Sequence, residues 1–223
     1  MTAVDVTRIV AVNAGLGDPS STRLLVDRLA AAVVAALEDG AGQTEVTVLD
    51  LRDLAIDIAR SMTTGFAVAP VRDALEQVYA ADALIVATPV FNASYSGLFK
   101  SFFDLIEAER LRGTPVVLAA TGGSPRHSMV LDHALRPLFA YLRTIVLPTA
   151  VYAATEDWAG ATGDTALLTD RIERAAGELA ATLGMRSGPA APTADRPRTD
   201  NGSRQSAEEA GIANFAALLG QQS

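Results

Sequence analysis

The segment Asn13-Ala-Gly15-Leu-Gly17-Asp-Pro19-Ser20-Ser21-Thr22-Arg23 sets three consecutive hydroxyls and a guanidinium directly behind a turn. A short β-branched run precedes it and a helical pattern follows. Free backbone N–H groups and the positive end of a helix dipole therefore converge on its mouth. With the hydroxyls and Arg23 they suit a phosphate monoester dianion. Ser and Thr also favour helix N-caps, so capping competes for the same residues. A second segment, Thr88 to Gly97, runs from a strand through Pro89, Val90, Phe91 and Asn92 into small hydroxyl residues and another helix. Phe91 suits the covering of a flat ring whose polar edge meets backbone N–H and C=O groups. An ordinary turn and cap is the alternative. A third segment, Thr121-Gly122-Gly123-Ser124-Pro125-Arg126-His127, brings paired glycines. There the backbone can approach a flat ligand with no Cβ between them.

Two other chemistries compete for these residues. Gly15-x-Gly17-x-x-Ser20 comes close to the dinucleotide fingerprint Gly-x-Gly-x-x-Gly, and Asp50 ends the second strand where a ribose-binding acid would sit. The missing third glycine counts against a Rossmann dehydrogenase, because that glycine permits close helix–strand packing. Ser124 and His127 are a nucleophile and base in type. No Gly-x-Ser-x-Gly elbow is present and no acid is placed to orient the imidazole, so hydrolysis is set aside.

These segments must be held by the elements around them. Arg8 to Asn13, Glu45 to Asp50, Asp82 to Thr88, Thr114 to Ala120 and Ile145 to Tyr152 read as five strands. Helical spacing predicts helices over Ser21 to Glu38 (stopped by Gly40 and Gly42), Val71 to Ala81, the stretch after Gly97 to Glu109, His127 to Arg143, and a last core helix marked by Leu167, Leu168, Ile172, Ala176, Leu179 and Leu183. Residues 51–70 read as a long irregular loop. Strands alternating with helices imply parallel pairing through right-handed crossovers, hence an α/β, three-layer, doubly wound sheet. Ligands of such sheets sit at the carboxyl ends of the strands, at the topological switch point, where the three segments fall. The helix after Gly97 is apolar nearly all round, so something beyond the sheet should cover it, and a subunit interface is the natural candidate. Lys100, the single lysine, lies in it and should snorkel to solvent or pair with an acid. Pro137 removes the amide that the His133 carbonyl would use, which predicts a kink or a single-turn π-bulge around His133.

Composition narrows the function classes. Of 223 residues, 49% are apolar and 20% charged, as in a globular domain. Lys+Arg 18 against Asp+Glu 26 gives a formal net charge of −8, which argues against nucleic acid or an anionic membrane as the main partner. There is no cysteine, and only His127 and His133, so no metal site is expected. The apolar run Leu29 to Leu37 is far short of a membrane span, and no export signal is visible at the N-terminus, so a cytoplasmic location is expected. Residues 1–186 read as the domain, and 187–205, rich in Pro and Gly, as a flexible linker. Residues 206–223 read as a tail with a short amphipathic helix through Ile212, Phe215, Leu218 and Leu219. That tail is either a marginal helix or an arm that packs on another protein.

The combination of Ser20-Ser-Thr-Arg23, Pro89-Val-Phe-Asn-Ala-Ser-Tyr-Ser-Gly97 with Lys100, and Ala120-Thr-Gly-Gly-Ser124 resembles the NAD(P)H-dependent FMN reductase family of flavodoxin-like proteins. Asp132-His-Ala-Leu-Arg-Pro137 further resembles the branch that supplies reduced flavin to two-component monooxygenases. The resemblance covers roughly residues 8–185. It implies a flavodoxin-like fold and an FMN site. The flavin phosphate would lie on Ser20, Thr22 and Arg23, with Gly15 and Ser21 also among the residues that bind the cofactor. The isoalloxazine edge would lie against Pro89, Val90, Phe91 and Asn92 and against Thr121, Gly122, Gly123 and Ser124. It also implies a homodimer or homotetramer through the helix after Gly97, with His133 in a π-helical turn at the tetramer interface. The family's first loop is Gly-Ser-x-Arg, whereas here Gly15 is followed by Leu-Gly-Asp, so the early arginine is absent.

The implied reaction is hydride transfer from the nicotinamide of NAD(P)H to FMN, with no protein acid or base needed for the step. Reduced FMN would then pass to a flavin-dependent monooxygenase. A quinone or azo reductase that retains its FMN shares the fold and the half-reaction. A non-enzymatic flavodoxin-like electron carrier would bind flavin without oxidising pyridine nucleotide.

Overall fold

The structure, a computed structural model, describes residues 6–37, 43–158 and 165–186. The expected linker and tail, and the glycines expected to stop the first helix, lie outside the described residues. The elements run β1 (Val6–Asn13), α1 (Ser21–Leu37), β2 (Gln43–Asp50), α2 (Ala55–Thr64), α3 (Ala69–Ala80), β3 (Ala83–Phe91), β4 (Ser94–Tyr95), α4 (Gly97–Phe103), β5 (Pro115–Gly122), α5 (Arg136–Tyr141), β6 (Ile145–Val146), β7 (Val151–Ala154) and α6 (Thr165–Arg186).

The sheet order is β2-β1-β3-β5-β6, with β7 also on β5 and β4 on β3. All pairs are parallel except β3–β4. The chain leaves β1 to one side for β2 and returns on the other for β3, so the switch point lies between β1 and β3. Strand side chains alternate between two cores. Ile9 and Ala11 of β1, Ile85 of β3 and Val117 of β5 pack with Leu25, Leu29 and Val33 of α1 and Leu168, Ile172 and Leu179 of α6. Their neighbours Val10, Val12, Leu84, Val86, Val116 and Leu118 face the other way, onto Val71, Val78, Phe99, Phe102 and Phe139. Burial on both faces accounts for strands that read as unbroken apolar runs.

The sheet counts seven strands rather than five. The strand expected over Ile145 to Tyr152 is split into β6 and β7, both on β5. Pro148 lies in the gap, where a ladder donor is missing. Side chains satisfy the backbone there. Arg136 donates to the carbonyls of Leu147 and Pro148 at 3.0 and 2.5 Å, and Glu178 accepts from the amide and hydroxyl of Thr149 at 2.8 and 2.6 Å. The seventh strand is the two-residue β4.

Residues 51–70 are not an irregular loop: they hold α2, closed by Gly65 in a left-handed conformation (φ 80°). Its periodicity is obscured because Ile56 and Met62 face solvent while the polar Ser61 is buried. The helix expected to reach Glu109 ends at Phe103. Leu105 and Ile106 tighten into i→i+3 bonds, and the Glu107 amide leaves the helix to donate to the Tyr79 hydroxyl at 2.9 Å. The helix expected over His127 to Arg143 is composite, with a 3₁₀ turn (Pro125–His127), a π-helical turn (Leu131–Leu135) and α5. The π turn falls around His133, the second of the two distortions, kink or π-bulge, that Pro137 predicts.

Much of the apolar surface of α4 is covered inside the chain. Phe99, Phe102 and Phe103 are buried, with Phe103 against Phe99 and Phe139 at ring-centre distances of 4.6 and 4.9 Å. Lys100 pairs with Asp104, the residue that caps the C-terminus of α4.

Candidate active site

The three loops meet at the carboxyl ends of β1, β3 and β5. The first leaves β1 through an Asx turn, in which the Asn13 side chain accepts from the Gly15 amide at 3.0 Å. It passes a cis Asp18–Pro19 bond and enters α1 after Ser20. There is no room at residue 15 for a side chain, because a Cβ would lie 2.1 Å from the Ser20 hydroxyl. Ser20 accepts from the Arg23 amide at 3.2 Å, which is the N-cap expected as the alternative for this segment. Ser21 is exposed at the start of α1. Thr22 turns inward instead, and its hydroxyl pairs at 2.7 Å with that of Thr121, both buried. This pair joins the first loop to the third.

Arg23 shares a cleft with Gly15 and Ser20 and is paired there with carboxylates. Its guanidinium donates to Asp27 at 2.8 Å and to Asp50, at the end of β2, at 2.6 Å. The hydrogen bond to Asp27 first, and the negative charge of Asp50 after it, hold its pKa above the ordinary arginine value. Asp50 also accepts from the Asn13 amide at 2.7 Å, so the acid at the position of a ribose ligand is already engaged. That cleft, of about 360 Å³, is lined by Gly15 and Ser20 of the loop together with Asp18, Asp27, Asp50 and Asp53 and with Arg23 and Arg52.

The second loop is a tight hairpin. Phe91 pairs with Ser94 across Asn92 and Ala93, which both hold positive φ (48° and 64°). That is the conformation of a type I′ turn, and it leaves Phe91 46% exposed at the tip. Pro89 and Val90 are half-buried behind it. Thr88 anchors the base, accepting from the Ser96 amide at 3.0 Å, and Ser96 caps α4 by accepting from Phe99 at 3.2 Å.

The third loop lies beside the second through the pairing of Pro89 with Thr121. Gly123 is exposed, and a Cβ built there meets nothing within 4 Å. Gly122 is the opposite case: a Cβ there would lie 2.2 Å from the Tyr152 hydroxyl. That hydroxyl donates to the Ser124 carbonyl at 2.7 Å, and the Ser124 hydroxyl accepts from the Arg126 amide at 3.3 Å. Burial, and then the negative charge of Asp157, push the Tyr152 pKa up. Among the described residues no group of three or more His, Asp or Glu is placed to hold a metal, and no helix is long and apolar enough to cross a membrane.

Sequence reasoning missed Asn13 and Tyr152. Asn13 carried a signal, as an amide at the end of the first strand just before a glycine turn. Tyr152 carried none, since its partner lies on another strand's loop.

Hydroxyls at a helix N-terminus, bare backbone at Gly123 and an exposed ring at Phe91 fit a phosphorylated planar ligand at the switch point. The strand order is that of flavodoxin-like proteins. The chain matches the family model of the NADPH-dependent FMN reductases over residues 7–159, and it belongs to that family. It is 39% identical over 180 residues to an FMN reductase (NADPH) of Pseudomonas aeruginosa, covering 81% of this chain and 94% of the relative. It is 40% identical over 176 residues to the NADH-dependent FMN reductase SfnF of Pseudomonas fluorescens, covering 79% and 91%. A crystal structure of an oxidoreductase from Corynebacterium diphtheriae superposes with a TM-score of 0.77 at 45% identity, covering 82% of this chain and 99% of that one. The protein is an oxidoreductase that reduces FMN with NAD(P)H.

Proposed function

We propose that this chain takes FMN as a dissociable substrate, reduces it with NAD(P)H, and releases it to a flavin-dependent monooxygenase in the cytoplasm, acting as a homo-oligomer. The observation that carries this finer reading is the π-helical turn Leu131–Leu135 around His133, the feature implied by the resemblance to the two-component branch.

The flavin phosphate lies on the Ser20 and Ser21 hydroxyls and the first-turn amides of α1, while Gly15, Thr22 and Arg23 shape that loop. The ring edge rests on the backbone of Pro89 to Asn92 and of Thr121 to Ser124. Phe91 shields the ring from water. Bound FMN supplies the hydride acceptor. The protein's part is orientation and stabilisation of charge, and backbone amides of the third loop serve the latter. Tyr152 keeps that loop in place through the Ser124 carbonyl.

The test is anaerobic reduction of FMN in excess over the protein by NAD(P)H. Loss of the oxidised-flavin absorbance of all the FMN supports a dissociable substrate. Loss limited to one equivalent of the protein contradicts it and leaves a retained prosthetic group.

A further inference from the structure

Arg23 carries the charge expected of a phosphate ligand, yet its two recorded ion pairs are both with carboxylates, Asp27 and Asp50. The three groups together carry one net negative charge. A dianion approaching Arg23 would meet that charge, not a free cation.

From Asp50 the hydrogen bonds continue into the first loop. One Asp50 oxygen takes Arg23 at 2.6 Å and the other takes the Asn13 side-chain amide at 2.7 Å. Asn13 is 3% exposed, and its carbonyl oxygen takes the Gly15 amide at 3.0 Å. Its own backbone carbonyl accepts from Leu51 at 2.9 Å, next to Asp50 on the paired strand. Gly15 in turn packs so closely on Ser20 that a Cβ there would sit 2.1 Å from the hydroxyl. The path therefore ends at the Ser20 hydroxyl, the group to which the proposed function assigns the phosphate.

We infer that Arg23 is a positioning residue for the flavin phosphate, acting through Asp50, Asn13 and Gly15 on the Ser20 hydroxyl, and is not a phosphate ligand. The inference rests on the assignment of this loop to the phosphate. A chain of bonds acts as a unit, so removing any member loses the same effect, and losses do not multiply. Independent contacts would multiply. Riboflavin lacks the phosphate, so its binding reports the rest of the site and is insensitive to this network.

The experiment measures dissociation constants of FMN and riboflavin for the full chain and for Arg23→Ala, Asn13→Ala and the double variant. Each single variant is expected to weaken FMN about tenfold, the effect of a hydrogen bond involving a charged group, with riboflavin unchanged. The double variant is expected to match the weaker single one. A loss of about a hundredfold in the double variant overturns the inference. So does an Asn13→Ala protein that binds FMN normally while Arg23→Ala does not. If Asn13→Ala does not fold, Asn13→Ser keeps an acceptor for the Gly15 amide and severs the link to Asp50. In that background Arg23→Ala should cost no further FMN affinity, and a further tenfold loss overturns the inference. Equal affinity of the unaltered chain for FMN and riboflavin overturns the phosphate assignment itself, and the inference with it. A preserved FMN preference with multiplying losses overturns the inference alone.

Discussion

Gly122→Ala tests how the third loop is held. The added Cβ would lie 2.2 Å from the Tyr152 hydroxyl, 3.3 Å from the ring carbon that bears it and 3.6 Å from the Val90 Cβ. Only the hydroxyl is closer than atoms can pack. It cannot swing away freely, because Tyr152 is 4% exposed and is bonded to the Ser124 carbonyl at 2.7 Å. The substitution must shift the ring or the loop, and overpacking of this kind costs about 1–3 kcal/mol. Breaking the hydrogen bond adds about 1 kcal/mol. The single variant should therefore lose about 2–4 kcal/mol in urea denaturation, and FMN affinity with it. Tyr152→Phe alone should lose about 1 kcal/mol, the hydrogen bond only. In the double variant the clashing oxygen is gone and the nearest atom is at 3.3 Å, so the loss should return to about 1–2 kcal/mol. A double variant as unstable as the sum of the singles would refute the reasoning, because the clash would then not lie at the hydroxyl.

Ala93 holds φ 64°, a conformation that costs an L residue about 1–2 kcal/mol. Ala93→Gly relieves it at an unfolded-state entropy cost of up to about 1 kcal/mol, so the urea midpoint should rise by about 0.5–1 kcal/mol equivalent. Thr22→Val leaves the buried Thr121 hydroxyl without its partner and should cost about 1–3 kcal/mol, whereas Thr22→Val with Thr121→Val should recover most of that. Tyr152 has a folded-state pKa raised above the ordinary value near 10 by burial, so the folded protein holds that proton more tightly than the unfolded chain. Its stabilising contribution is complete below pH of about 10 and is lost as pH rises through the folded value. Stability measured from neutral pH upward should fall in that window, and less steeply in Tyr152→Phe.

The strands were legible because burial on both faces writes continuous apolar runs such as Ala83 to Ala87. The π turn was legible because Pro137 removes a specific donor. α2 was not, since Ile56 and Met62 point outward and Ser61 inward, against the pattern that marks a helix. The split at Pro148 depends on Arg136 and Glu178, whose service to the backbone shows only in three dimensions. In the site, the three loops followed from strand order, but the partners of two residues did not. Thr22 meets Thr121 and Arg23 meets Asp50 across long sequence separations, so hydroxyls and charge alone could not tell ligand from scaffold.

As an FMN reductase, the protein is expected to pass electrons from a reduced nicotinamide to FMN as a substrate. The most direct measurement is the initial rate of NAD(P)H oxidation by flavin-stripped protein as FMN is added. No oxidation is expected without FMN, and a rate that rises and saturates is expected with it. Oxidation that stays absent while FMN demonstrably binds would rule out FMN as the protein's electron acceptor.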